Sequence, residues 1–535
     1  MLCFHHALAW YSGATAQGRQ ESNRSNKPEM KIAHVKDPAI FKIENPGAKR
    51  SLKIKRLLAN ALEADPYDER IHTELARLYL GGFSDPDSAR KHYEIAIGLN
   101  PQSGAAHFEL ALLEMYHVLN YDSAKAHLET ALNFQPDFAL SHFNYAILLS
   151  HHFQDFRKAE KHYRAAIEND PENYQAHNNL GLLLEQHFSD YQGAKEHYQM
   201  ALRINPEDSI TLCNLAMLML EQFSDPVGAR KHWELAIQFD PQYSTAHNNL
   251  GLLLKKYFFD YERAKFHYEA AIKANPKNVE AHNNLATLLV KHFGAYAKAK
   301  KLYERAIKLD PSAAFLYYNY AGLLQDHFSD YLGAAKMYEQ AIKLGPNSSE
   351  THANYALLLA SKLSKFSKAK KAWEKSLALD WKNAKAHYNY SLLLLNYYSK
   401  PKQARTHLEA AIQANPDYAE AHNNLALLLT SHFKQYQQAK THYETSLQLD
   451  RTANTLVNYG ILLSRYLSDF EGAKKQYENA LQLEPKNADA HYNLAYLLDN
   501  HFSQYKQAAT HYKRAKRFNP EYGNEDLDLY FKLKQ

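Results

Sequence analysis

The chain has 535 residues, 45% of them hydrophobic and 23% charged, with a formal net charge of +5. Such a composition supports a folded protein, but the charge is too small and too evenly interspersed to point to nucleic acid. The two cysteines, Cys3 and Cys213, exclude a disulfide framework and a cysteine-based zinc site, and no apolar run approaches the ~18 residues of a membrane span.

Residues 1–49 are expected to be disordered or a leader ahead of the true start. The opening MLCFHHALAWYSGATA has no basic region of the kind a secretory signal carries. Met30 follows the polar stretch QGRQESNRSNKPE and is a candidate start. A reducing, cytoplasmic compartment is the expectation, with no membrane insertion. Residues 50–66 are expected to form an N-terminal capping helix, because Ile54, Leu58, Ala61 and Leu62 line one face of Ser51 to Asp65.

From residue 67 to 520 one pattern repeats thirteen times. Prolines stand every 35 residues from Pro66 to Pro346, and again at Pro416, Pro485 and Pro520, with Trp381 and Arg451 in the two vacant slots. An alanine lies twelve residues before each slot, from Ala89 to Ala508. Four residues on comes Tyr or Trp (Tyr93, Tyr163, Tyr198, Trp233, Tyr268), or Leu in two units (Leu128, Leu408). Three further on comes Ala or Ser. The offsets i, i+4, i+7 mark one face of a helix, called B here. Asp85, Asp155, Asp190, Asp225, Asp260, Asp330 and Asp469 precede it and are expected N-caps. The other half of each unit, as in NLGLLLEQHF from Asn179, is a second helix, A. Its Leu183 slot is Leu in all thirteen units, and its Gly181 slot is Gly, Ala or Ser. Two helices cannot bury an apolar face alone, so units must stack. Lys516 replaces an Ile or Leu of the earlier units, as suits a last helix with no neighbour to cover it. Residues 521–535 form a C-terminal tail.

Leu180, Gly181, Leu184, Ala194, Tyr198, Ala201 and Pro206 resemble the tetratricopeptide repeat family. The resemblance implies an all-α fold, an α-α superhelical solenoid of antiparallel helix pairs. This chain departs from the family in its 35-residue unit, with the extra residue in the turn between A and B (HFSDY), and in a His where helix A usually carries an aromatic. Pentatricopeptide RNA readers share the length but not the Ala/Tyr/Ala/Pro signature.

Twenty-six of the 30 His fall in three columns. One opens helix A, from His72 to His491. One lies in the A–B turn, from His117 to His501. One precedes the helix B aromatic, from His92 to His511. No HxxxH pair recurs, and zinc needs three or four converging ligands, so packing imidazoles are expected, with pH sensing and metal binding as the lesser readings. No metal or cofactor is expected.

Two residues after the helix A His slot, asparagine fills eleven consecutive units: Asn144, Asn179, Asn214, Asn249, Asn284, Asn319, Asn354, Asn389, Asn424, Asn458 and Asn493. In the family this side of helix A lines the concave groove, and the column resembles an asparagine ladder that grips peptide backbone. A primary amide offers one donor side and one acceptor side, matching a peptide unit irrespective of sequence. The intervening slots are mostly apolar, among them Leu182, Leu252, Leu357, Leu392, Leu427 and Ile461. The expected function is a non-catalytic scaffold for protein or peptide partners, with no nucleic acid. A helical-repeat RNA binder and an accessory or targeting subunit of an enzyme complex are the alternatives. Partner identity and oligomeric state are not legible in the sequence.

Overall fold

The computed structural model describes residues 48–524. Most of the expected leader, residues 1–47, and the end of the tail, residues 525–535, lie outside the described residues. Within them are twenty-seven α-helices and no strand. A first helix, Ala48–Ala64, is followed by thirteen antiparallel A–B pairs, numbered here as units 1 to 13, from Glu69–Phe83 with Pro86–Leu99 to Ala488–Asn500 with Tyr505–Phe518. The chain divides between Leu302 and Tyr303 into two compact units, and each is a run of such pairs.

Unit 4 shows how the sequence builds a pair. Helix A (Tyr174–Leu183) starts at Asn173, whose side chain accepts from Ala176 N, and helix B (Tyr191–Ile204) starts at Asp190, whose side chain accepts from Gly193 N. All seven expected aspartate caps accept in this way. Ala194, Tyr198 and Ala201 of helix B are fully buried, as are Leu180 and Gly181 facing them. The fit is tight. A Cβ added at Gly181 would stand 2.9 Å from the Tyr198 ring and 3.1 Å from the Ala194 carbonyl, and Gly251 meets Tyr268 in the same way. Most other units carry Ala at this slot and close on the ring with one methyl. Burying each such ring contributes about 1.5–3 kcal/mol.

The thirty-fifth residue is absorbed where helix A ends. In six units the last five residues form a π turn, as at Leu184–Phe188 and Leu289–Phe293. In every unit one residue then enters the left-handed region, at φ between 50° and 61°. The amide of the following cap residue reaches back six positions, as Asp190 N does to Leu184 O at 3.0 Å. This is a Schellman-type stop, normally built on glycine. Here only Gly294 supplies one, and Ser, Leu, Gln, Phe or Lys takes the position elsewhere.

Neighbouring units are tied by recurrent side-chain contacts. A tyrosine of helix A donates to a glutamate on the preceding helix B, as Tyr320 to Glu304 (3.0 Å), Tyr390 to Glu374 (3.0 Å) and Tyr459 to Glu444 (2.8 Å). The turn histidines stack on the first ring of the preceding helix B, with Tyr121–His152, Phe156–His187 and Tyr261–His292 centroids 3.5–3.6 Å apart. The ends are covered from outside the repeats. Lys55 of the first helix lies over Tyr79 of unit 1, and Tyr522, after the last pair, stacks on Tyr492 and donates to Asp489.

Left-handed backbone costs a side chain with a Cβ about 1–2 kcal/mol. Phe259→Gly is therefore expected to raise stability by about 1 kcal/mol and Gly294→Val to lower it by about 1–2 kcal/mol. Urea melts followed by circular dichroism measure both shifts.

Candidate partner-binding face

The eleven asparagines share one register on helix A, but their surroundings differ. Asn144, Asn179, Asn214, Asn249, Asn284 and Asn493 are buried. Asn319, Asn354, Asn389, Asn424 and Asn458 are half-buried. The apolar slots follow a similar division, apart from the partly open Leu252. Ile147, Leu182 and Met217 are buried, whereas Leu357, Leu392, Leu427 and Ile461 are partly open. Gly322 stands in this row with nothing within 4 Å of an added Cβ.

One pattern recurs in the hydrogen bonds of the row. The residue just before the asparagine slot in one unit accepts from the asparagine of the next. Asn214 Nδ2 donates to Asn178 Oδ1 at 3.0 Å, Asn284 to Asn248 at 3.0 Å, and Asn458 to Asn423 at 3.3 Å. Where that preceding residue is tyrosine its hydroxyl takes the same part, as Tyr318 accepts from Asn354 and Tyr388 from Asn424, both at 2.8 Å. Where it is apolar, Phe108 or Val457, the asparagine turns to its own helix: Asn144 donates to Leu140 O and Asn493 to Asp489 O. Behind Asn249 the slot holds Cys213, and Asn249 Nδ2 is buried with no hydrogen-bond partner. Behind Asn389 stands Ala353, and the Asn389 amide remains available on a half-buried surface. The first asparagine of three Asn-Asn pairs, Asn178, Asn248 and Asn423, thus has a definite task. The signal for it in the sequence is an Asn-Asn pair followed 36 residues later, or 35 across the shortened unit, by another asparagine.

The two helix histidine columns meet. Eight pairs face each other within a unit through their Nδ1 atoms: His72–His92, His107–His127, His142–His162, His177–His197, His247–His267, His387–His407, His422–His442 and His491–His511, at 2.8–3.1 Å. The separation of 20 residues within the chain carries one ring from helix A to helix B. Burial lowers the helix B members first and the partner ring second, to about 4 for His162, His197, His267, His407 and His511. Ring centroids lie 5.0–5.3 Å apart, which sets the nitrogens head-on, as a shared proton requires, rather than both aimed at a third point. Among the described residues no three His, Cys, Asp or Glu side chains converge in a way that could hold a metal.

The buried carboxyls are also accounted for in part. Glu109 occupies the asparagine slot of unit 2 and accepts from Arg77 (2.8 Å) and Tyr93 (3.3 Å). Burial pushes Glu185 up to about 7, although Tyr198 donates to it at 3.0 Å.

A profile of the tetratricopeptide repeat matches residues 73–115, 153–209, 260–314, 293–349 and 399–454, and a TPR repeat profile matches residues 465–499. No curated protein matches the chain. Among solved structures, yeast Tom70 is similar at 16% identity over 78% of this chain and 92% of that one, with a TM-score of 0.34. The Cut9–Hcn1 hetero-tetramer of the APC/C is similar at 15% identity over 88% and 92%, with a TM-score of 0.41. YrrB, a TPR protein with an unusual peptide-binding site, is similar at 22% identity over 35% and 95%, with a TM-score of 0.30. No helix among the described residues is long and apolar enough to cross a membrane.

Asn178 Oδ1 accepts from the buried Asn214 amide, whereas the nearby Thr211 hydroxyl also has Asp208 as an acceptor, so Asn178→Ala removes the Asn214 acceptor and is expected to cost about 1–3 kcal/mol. Asn389→Ala breaks no such bond and is expected to stay within about 0.5 kcal/mol of the parent. Chemical melts of the two variants make the comparison.

Proposed function

We propose, on the premise that the chain belongs to the tetratricopeptide repeat family, that it is a non-catalytic scaffold holding extended peptide or protein partners against its helix A face. The observation that carries this reading is the open stretch of the asparagine row from Asn319 to Asn458. Asn389 has both sides of its amide available, and Asn354 uses its Nδ2 on Tyr318 while its Oδ1 stays an unused acceptor. Between these amides lie the partly open Leu357, Leu392 and Leu427. Amides at the 35-residue repeat spacing, separated by apolar side chains, suit a partner in extended form: the amides take its backbone, and the apolar slots take alternate side chains. Of the buried asparagines, Asn214 and Asn284 donate to the preceding unit instead, and the reading is confined to the stretch from Asn319 to Asn458.

Asn319, Asn354, Asn389 and Asn424 replaced together by Ala are expected to weaken binding of a captured partner peptide at least tenfold, measured by fluorescence anisotropy. Far-ultraviolet circular dichroism should remain that of the parent. Undiminished affinity in a correctly folded variant contradicts the proposal.

A further inference from the structure

We infer that the eight facing histidine pairs are proton-operated clasps between the two helices of a unit, opening the units that carry them in acid and leaving units 7 to 9 closed.

The geometry fixes how many protons a clasp can hold. In every pair but His72–His92 the helix A ring donates its Nε2–H to the carbonyl of the preceding Pro slot, as His142 does to Pro136 O (2.7 Å), His387 to Trp381 O (3.0 Å) and His422 to Pro416 O (3.1 Å). Its Nδ1 is then a bare acceptor. The helix B ring must supply the single Nδ1–H that lies between them. A first added proton goes to Nε2 of the helix B ring and leaves this bond in place. A second has only the helix A Nδ1, where two N–H groups would face each other across about 3 Å, and two positive charges would stand side by side. In the unfolded chain both rings take protons near their ordinary value of about 6.5.

Surrounding charges do not relieve this conflict. Around His162 stand Glu129, Lys158 and Lys161; around His197 stand Arg164, Glu196 and Asp190. His267 meets Arg263, Glu234 and Asp260, and His442 meets Glu409 and Arg405. Both signs appear in each of these sets. His127 has Arg90 and Glu94, His92 has Lys55, His407 has Glu374, and the His491–His511 pair has Arg514.

The chain contains its own controls. Units 5, 7, 8, 9 and 12 lack the pair, with Leu212 and His232, His282 and Leu302, Tyr317 and Met337, His352 and Ala372, and Leu456 and Gln476 in the two slots. The unpaired His232 and His282 turn Nδ1 to Gly228 O and Asn278 O, each at 2.8 Å. Units 7 to 9 therefore form a clasp-free block between clasped units 1 to 4 and 10 to 11.

The sign follows from the direction of the shifts. Rings held below about 6.5 in the folded chain add stability that is complete above that value and is lost as pH falls toward about 4. At pH 5.0 one such ring shifts a unit's opening equilibrium roughly 30-fold. The test is amide hydrogen exchange by mass spectrometry on the full chain at pH 7.5 and 5.0, corrected for intrinsic rates. Protection in units 1 to 4 should fall at least tenfold while units 7 to 9 change less than threefold. Transplanting the unit 8 residues, as His142→Tyr with His162→Met and His177→Tyr with His197→Met, should preserve protection of units 3 and 4 at pH 5.0. If that chain does not exchange like the parent at pH 7.5, His162→Gln with His197→Gln gives the same comparison with neutral side chains. Equal loss in units 7 to 9, no loss in units 1 to 4, or unchanged loss in the substituted units overturns the inference.

Discussion

The contact between the small residue of helix A and the ring of helix B sets the spacing on which the other contacts depend. With Gly181 against Tyr198 at van der Waals distance and Ala194 beside them, the two helices of a unit lie close. A bulkier residue at either small slot would separate them, and the interior is packed too densely to absorb the change. The same approach brings the two histidine columns to hydrogen-bond distance and sets the turn histidine on the ring of the preceding unit. No pair buries its stripe alone, so each unit's stability is shared with its neighbours.

Polar side chains inside such a stack must find partners, because a buried donor left alone costs as much as one or two good contacts return. The chain meets this demand by repetition. Asn178 and Asn248 offer oxygens to the next unit, tyrosine hydroxyls do so at Tyr318 and Tyr388, and tyrosine–glutamate bonds link A to the preceding B. The asparagine row joins units both where it is buried, at Asn214 and Asn284, and where it is half-buried, at Asn354, Asn424 and Asn458.

Much of the fold was legible because it is written in local terms. The Ala–Tyr–Ala face, the leucine slots and the aspartate caps each act within one helix or its first turn, so spacing alone identifies them. The extra residue was legible as an insertion in the A–B turn, but not as a π turn ending in left-handed backbone, because serine, phenylalanine and lysine occupy a position where glycine would have announced it. The histidine pairing was hidden for a different reason. His177 and His197 meet only once the crossing of two helices fixes their register, so no spacing within a single helix announces the pair. Asn178 has no signal within its own unit, because its partner, Asn214, lies in the next. Which part of the row stays open is a property of packing between units and has no counterpart in the residue types of the row itself.

The account rests on the claim that one row is sealed from Asn144 to Asn284 and partly open from Asn319 to Asn458. Cysteine scanning tests it most directly. In a Cys3→Ser background, Asn179→Cys and Asn389→Cys are reacted separately with a maleimide under native conditions, with the buried Cys213 as an internal reference. The account predicts fast labelling at 389 and protection at 179 comparable to that of Cys213. Equal labelling rates at the two positions in folded protein would contradict it.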